Sequence, residues 1–354
     1  VYSDGVYVGK YPLGPFHLAE NNPFSYKPGG FLPGAGHGST MEDITGHFWH
    51  TATMRISKNH VFERRVGIWP AGFDEEGNLF CNQRYGDWPQ DVEKFRMDPW
   101  AEPEWFLLSY GAKMTASGYE KDHEPSLAAD ENVQTWWMAD TEAPGSFLTM
   151  DLDTCANVHA IQINFADDPS SQIKCPGEWK KTPDMERYID RKAGYTRWML
   201  EGSLDGEMWF ALEDKRNADT DLSHDLVVSE EGWKLRFLRF TIEEVPYHVK
   251  PCISGLRVFG RAERTLPEVP EYEVRRTGYL DMEVSVEEQK AVSGYLILWG
   301  NKPEQLYHSC MVMGNCINYR VGALVKGKMY YVRVDAFNGS GITHGEVKKL
   351  EVFK

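Results

Sequence analysis

No apolar run in this sequence approaches the roughly 20 residues that a membrane-crossing helix needs. The longest, Trp105 to Leu108 and Tyr295 to Trp299, stop far short of it, so no such span is expected. Positive charge is scarce: Lys and Arg number 38 against 53 Asp and Glu, a formal charge of -15 that opposes a phosphate backbone or an anionic membrane surface. Nucleic acid is therefore not an expected partner. No C-x-x-C pair occurs, and the cysteines (81, 155, 175, 252, 310 and 316) are scattered, which excludes a zinc ribbon or a thioredoxin-type centre. Cys310 and Cys316 are open to two readings, a local disulfide or buried free thiols. The chain starts at Val1 with neither an initiator Met nor a charged leader. The expectation is a fragment or a processed form whose targeting signal lies upstream or has been removed.

Helical periodicity is also scarce. Short alternating runs bounded by Gly, Pro, Asn and Asp recur instead, which predicts an all-β chain with strands at Phe48 to Ile56, Phe147 to Leu152, Ala160 to Phe165, Trp198 to Ser203, Arg236 to Ile242, Leu256 to Gly260, Gly294 to Trp299 and Met329 to Phe337. One helical turn is expected within Thr182 to Lys192. At about 150 residues per domain, 354 residues predict two or three domains, and 42% apolar content suffices for their cores. Proline-rich junctions at Met97 to Glu104 and Arg261 to Pro270 divide the chain into 1–110, 111–263 and 264–354. Twelve Trp, 17 Tyr and 17 Phe serve either as sugar-stacking faces or as ordinary strand residues, and the count alone favours neither.

The first segment carries PLGPF (12 to 16), GAGHGST (34 to 40), a strand ending in MRIS, and RRVGIWPAGFDEEGNLF (64 to 80). In that order they resemble the last blade or so of glycoside hydrolase family 43, a five-bladed β-propeller. The resemblance implies that His37 sits at the propeller axis, where the family commonly holds a central metal ion or water. It also implies a substrate-facing Arg, a place open to Arg65, Arg64 or Arg55. Five blades need roughly 280 to 300 residues. The expectation is thus an incomplete propeller whose missing upstream blades are a partner of this chain. Glycoside hydrolysis uses two carboxylates across the scissile bond, and in the family both come from earlier blades. Glu42, Asp43, Glu63, Asp74, Glu75 and Asp87 read as solvated or turn-forming acids, so no catalytic residue is assigned.

The middle segment runs AADENVQTWW (128 to 137), FLTMDL (147 to 152) and SLDGEMW (203 to 209). It resembles a discoidin or coagulation factor type C domain, the fold of carbohydrate-binding module family 32, whose pattern is A-x-D-G-N-x-x-T-x-W. Glu131 stands where that pattern has Gly. Asp130, Asn132 and Thr135 offer hard oxygens in a tight loop, which suits Ca²⁺ with its 6 to 8 oxygen ligands at about 2.3 to 2.6 Å. The resemblance implies a structural calcium there; an Asx turn before a buried Trp pair is the other reading. Trp137 and Trp209 are expected in the core. The longest loop, 168–194, carries Trp179, the leading candidate for sugar stacking, and packing against the propeller is the reading favoured for the loop as a whole.

In the last segment, GYLILWG (294 to 300) and LVKGKMYYVRVDAFNGSGIT (324 to 343) resemble a fibronectin type III sandwich, with Tyr330 or Tyr331 near the buried corner position. Asn338-Gly-Ser is formally a glycosylation acceptor but falls in a strand-to-strand turn. Together the resemblances imply the C-terminal portion of a secreted, periplasmic or cell-envelope hydrolase of the arabinofuranosidase or xylosidase type, acting on plant-type polysaccharides or oligosaccharides. The alternative is a non-catalytic carbohydrate-binding or adhesion protein.

Overall fold

The computed structural model describes residues 2–55, 64–166, 168, 178–182, 185–189 and 194–353, with 55, 178–182 and 185–189 described by backbone alone. The chain is nearly all β, as its alternation predicts, with a single one-turn-and-a-half α-helix, Val92–Met97, among the described residues. It divides into two compact units: Val1–Ile56, Val61–Phe106 and Arg264–Lys354 form one, and Leu107–Glu263 the other.

In the first unit, Gly34–Glu42, Phe48–Arg55, Arg64–Phe73 and Leu79–Cys81 form a four-stranded antiparallel sheet in chain order. The GAGHGST run opens this sheet for a steric reason. The backbone N–H groups of His37 and Gly38 both donate to the Asp4 carboxylate, at 2.9 and 2.8 Å, so successive amides form a cradle for a carboxylate of the same chain. A Cβ at Gly38 would stand 2.5 Å from Asp4 Oδ2 and 2.5 Å from the Thr51 carbonyl oxygen, which is why only glycine fits.

The same unit holds two further sheets, Tyr272–Arg276, Met282–Val286 and Ile317–Val321 facing a second one centred on Gly294–Gly300 and Tyr330–Asn338. Their inner faces bury Trp299, Tyr295, Ile297, Val332, Val334, Met282 and Val284, and each such side chain stabilises the fold by about 1.5–3 kcal/mol. Tyr330 is buried, and its hydroxyl accepts the Val325 N–H at 2.9 Å. Asn338 is buried, and its amide donates to the Thr265 and Ala291 carbonyls, both at 2.7 Å, so the turn-building reading of the Asn-Gly-Ser triplet holds. Cys310 is a buried thiol and Cys316 an exposed one, and they are not bonded to each other.

The second unit is built on three long strands, Ser146–Phe165, His224–Glu244 and Cys252–Ala262. The pairing register shifts between Asp151 and Ala156 and again between Val158 and Ala160. These bulges let one strand serve two faces: Ser146 to Asp151 pair with Phe237 to Ile242, and Ala160 to Asn164 with His224 to Val228. Between the faces lie Trp137, Trp198, Leu148, Met150, Ile161, Leu200, Phe240 and Val258. Trp137 is fully buried as expected. Trp209 is not in the core: it is half-buried at a strand start, with the Arg239 guanidinium 4.1 Å from its ring centroid. The helical turn expected within 182–192 is also overturned, because Glu178–Thr182 and Met185–Ile189 pair as an antiparallel hairpin in the register Glu178↔Ile189 to Thr182↔Met185. Five-residue runs flanking Pro183-Asp184 have the length and bounding chemistry of a hairpin, and no apolar period of 3.6.

Candidate functional site

The predicted oxygen ligands do come together. Between a 3-10 turn at Pro125–Ala128 and the strand Trp137–Met138, the loop 130–135 folds around the Asp130 carboxylate. Oδ1 accepts the Asn132 N–H at 2.9 Å, Oδ2 accepts the Thr135 hydroxyl at 2.6 Å, and Asn132 Oδ1 accepts the Gln134 N–H at 3.1 Å. Burial raises the Asp130 pKa, while the bonds from Thr135 and Asn132 work against that rise. The donor set is all oxygen and fits a hard cation; each side-chain oxygen is now used by the loop's own N–H and O–H groups, so an ion there would replace those bonds.

Glu131 explains why this loop tolerates a missing glycine. Its φ is 60°, the left-handed region where glycine is at ease and other residues are strained. The side chain turns inward and meets Arg257, with both residues almost fully buried and two bonds of 2.8 Å. Arg257 also donates to Gln162 at 2.6 Å, which fastens the loop to the strands Ser146–Phe165 and Cys252–Ala262.

These strands bring together residues 117–124, 166, 168 and 245–251 at one end of the sandwich. Glu120 N donates to the Met138 carbonyl, Ala166 N to that of Cys252, and Lys250 pairs with Glu120. The His123 ring stacks on Trp136 with centroids 5.1 Å apart and planes 27° from parallel. His123 Nδ1 lies 3.1 Å from the Trp136 carbonyl and Nε2 3.6 Å from Asp168 Oδ2. Trp136 is 7% exposed, and its indole N–H has no hydrogen-bond partner among the described residues. Beneath it lie Met138, Cys252 and Ala166. Tyr119 and Tyr247 are exposed at this end, at 50% and 44%. The result is an apolar floor, flat rings, and donors and acceptors of both charges, which is the chemistry that grips polyhydroxylated ligands.

Sequence reasoning did not find Trp136, His123, Asp168 or Tyr247. The Trp-Trp pair offered a signal, since adjacent residues of extended chain point to opposite faces, and the two rings join different buried clusters. Nothing in the sequence marks Tyr247, which is held at φ 65° after Pro246. The other expected site residues lie elsewhere. The side chain of Trp179 lies outside the described residues. Arg65 belongs to the strand Arg64–Phe73, opposite Met54, in the other unit. His37 is in that unit as well, with φ 57° and an exposed side chain, because the cradle around Asp4 uses its backbone and turns its ring outward. Among the described residues no three His, Cys, Asp or Glu side chains gather in a metal-binding group.

Of the acids of the first segment, Asp43, Asp74 and Asp87 are committed to structure, Glu42 and Glu75 are exposed, and Glu63 lies outside the described residues. Asp43 accepts from Thr45, His47 and Trp49, the hydroxyl of Thr45 foremost, and these bonds hold its carboxyl far below the ordinary range. Asp74 closes a turn through Glu76 and Asn78 and accepts the Tyr307 hydroxyl at 3.0 Å. Asp87 departs from the solvated or turn-forming reading: it is buried, and Lys27 Nζ lies 2.6 Å from its Oδ2.

No protein family matches the chain, and no curated protein does. Solved structures resemble it at low identity. A chitosan-binding module of a chitosanase/glucanase from Paenibacillus sp. IK-5 is 16% identical over 44% of this chain and 99% of its own, with a TM-score of 0.32. A family 32 carbohydrate-binding module from Clostridium perfringens NanJ, in complex with galactose, is 14% identical over 44% of this chain and 98% of its own, with a TM-score of 0.32. A glycoside hydrolase is 17% identical over 70% of this chain and 52% of its own, with a TM-score of 0.33.

Proposed function

We propose that this chain is the carbohydrate-binding, C-terminal portion of a family 43-like glycoside hydrolase of the arabinofuranosidase or xylosidase type, secreted or periplasmic. The saccharide would bind at the loop-built end of the 107–263 sandwich. The observation that carries this reading is the convergence there of the His123–Trp136 stack, an indole N–H with no acceptor among the described residues, and the exposed rings of Tyr119 and Tyr247. Three further features support the family assignment. The left-handed Glu131 stands where the discoidin-type pattern has Gly. The four-stranded sheet in chain order has the connectivity of a propeller blade. The three-stranded sheet facing one built on Gly294–Gly300 and Tyr330–Asn338 has the layout of a fibronectin type III sandwich. In the same proposal Asp130, Asn132 and Thr135 hold a structural Ca²⁺, His37 lies near a central propeller ion, Arg65 serves the substrate of the hydrolase blades, and Trp179 serves the glycan held by the sandwich. Catalytic carboxylates would come from other blades.

A second reading, a non-catalytic carbohydrate-binding or adhesion protein, is favoured by one observation: Asp43, Asp74 and Asp87 are all spent on turns or a buried ion pair. Two measurements separate the readings. Titration calorimetry against arabinoxylan and xylan oligosaccharides should give saturable binding that Trp136→Phe weakens roughly three- to tenfold, the worth of one hydrogen bond. No binding by any plant glycan sinks the carbohydrate reading. The intact mass of the protein from its native source tests the hydrolase reading: a mass well above 40.6 kDa supports further blades, and a mass near 40.6 kDa leaves the binding protein.

A further inference from the structure

A second polar cavity lies in the unit formed by residues 1–106 and 264–354, remote in sequence from the sandwich. It is lined by Glu20, Asn21, Glu76, Asn301, Lys302 and His308, among others, and has a volume of about 30 Å³, room for an ion and at most a few waters. Two amide side chains on its wall are fixed by their nitrogens. Asn21 Nδ2 donates to the Leu79 carbonyl, and Asn301 Nδ2 donates to the Glu20 carbonyl at 2.7 Å. Flipping either amide would set oxygen against oxygen, so the orientation is determined. Their carbonyl oxygens, Asn21 Oδ1 and Asn301 Oδ1, are then buried with no hydrogen-bond partner among the described residues, and Asn21 as a whole is 7% exposed. An unmet buried acceptor costs about 1–3 kcal/mol, and both acceptors belong to residues that line this one cavity.

The charge around the cavity selects among occupants. Glu20 and Glu76 line it, and Asp74 and Glu304 stand close enough to act on Lys302. Against these four acids stand Lys302, paired with Glu76, and Lys328, 3.8 Å from Glu20. The neighbourhood is net negative. His308 adds no positive charge, since burial pushes its pKa down to about 4 and leaves the imidazole neutral. Lys302 is 39% exposed and can swing away from Glu76 without losing contact with water.

We propose that this cavity is a divalent-cation site, with Asn21 Oδ1, Asn301 Oδ1 and the carboxylates of Glu76 and Glu20 as its oxygen donors. Amide and carboxylate oxygens are hard ligands, which points to Ca²⁺ in preference to a thiophilic metal. Because Asn21 and Asn301 come from the two ends of the chain, the ion would pin the first sheet to the last sandwich inside this unit. The site is independent of the Asp130 loop and of the saccharide reading.

The test uses Tb³⁺, whose emission is sensitised by a nearby aromatic ring. Tyr307 lines the cavity and stacks on Trp100 with centroids 5.3 Å apart, so it serves as the antenna. The full chain carrying Asp130→Asn and Thr135→Val, which silences the other loop, should show saturable emission that Ca²⁺ displaces. Adding Glu76→Gln or Asn301→Ala should weaken binding by roughly tenfold or more, a loss of about 1.4 kcal/mol. Adding Lys302→Met should tighten it, an effect that a purely structural role for these residues does not produce. Circular dichroism of each variant guards against misfolding. Absence of saturable emission, with the cavity holding water only, overturns the proposal, and so does binding that Glu76→Gln leaves unchanged.

Discussion

Arg257 and Glu131 face each other through two 2.8 Å bonds in a site where each side chain is no more than 2% exposed. The pair ties a strained loop residue to the central strands, so its two members are not equivalent to a surface ion pair. Glu131→Ala takes both carboxylate bonds from a buried guanidinium that keeps its bond to Gln162, and we expect a loss of about 3–5 kcal/mol in urea unfolding. Glu131→Gly relieves the left-handed strain but strands the same charge and should lose nearly as much. The double change Glu131→Gly with Arg257→Met removes both charges and should recover most of the stability. A double variant no better than the single ones would show that the pair is not the fastening it is taken for.

Alkaline pH should loosen the other unit through His344. Its Nδ1 lies 3.1 Å from Asp335 Oδ2 and its Nε2 3.0 Å from Glu102 Oε1, and hydrogen bonds to these two carboxylates raise its pKa to about 9. The folded pKa exceeds the unfolded one of about 6.5, so the stabilisation is complete below that value and is lost as pH rises through about 9. His344 is half exposed, which limits the effect to about 1 kcal/mol or less. Unfolding followed from pH 6 to pH 10 should show this decline in the native chain and a flatter profile in His344→Gln. Parallel profiles would exclude His344 as the source.

How much of this was legible in the sequence depends on the range of the interaction. Alternation is local, so the strands at 294–300 and 330–338 match their expected bounds within a residue or two. The Asp130 turn is equally local, since Asn132 and Thr135 are its own neighbours. The partner of Glu131 lies 126 residues away, and no spacing rule connects the two. The same holds for Asp87, read as a solvated or turn acid until Lys27, 60 residues distant, closes on it. Long strands were read as short ones because bulges at 151–156 and 158–160 interrupt the alternation without ending the ladder. The bond from the His37 backbone N–H to Asp4 spans 33 residues and is equally invisible to any spacing rule.

Asn338 gives a simple negative expectation. Both amide hydrogens are donated, to Thr265 and Ala291, and the residue is 3% exposed, so an oligosaccharide transferase acting on the folded chain meets no free nitrogen. Expression in a glycosylating host should yield chain without an added glycan at this position by mass spectrometry of peptides. Asn338→Ala should instead destabilise, by about 1–3 kcal/mol, because two buried carbonyls lose their donors. Glycan at Asn338 on folded, secreted protein would contradict the packing described for it.

The Asp130 loop makes a prediction about calcium and pH together. A cation needs the carboxylate ionised, whereas burial raises the Asp130 pKa and so favours the proton. In the metal-free chain the raised pKa means that this group favours the fold below its unfolded pKa, and that contribution fades as pH rises through the folded one. Calcium reverses the sign, because it binds only the ionised form. The increment in melting temperature caused by Ca²⁺ should therefore grow as pH rises through the acid range and then level off. At about 100 times the dissociation constant the stabilisation should reach about 2.7 kcal/mol. Asp130→Asn should abolish the loop's share of the increment, and Thr135→Val should reduce it. The variant Asn301→Ala, which leaves the loop intact, should keep the pH-dependent part. Scanning calorimetry with and without Ca²⁺ from pH 4 to pH 8 reads all of these, and an increment that Asp130→Asn leaves untouched would remove calcium from this loop.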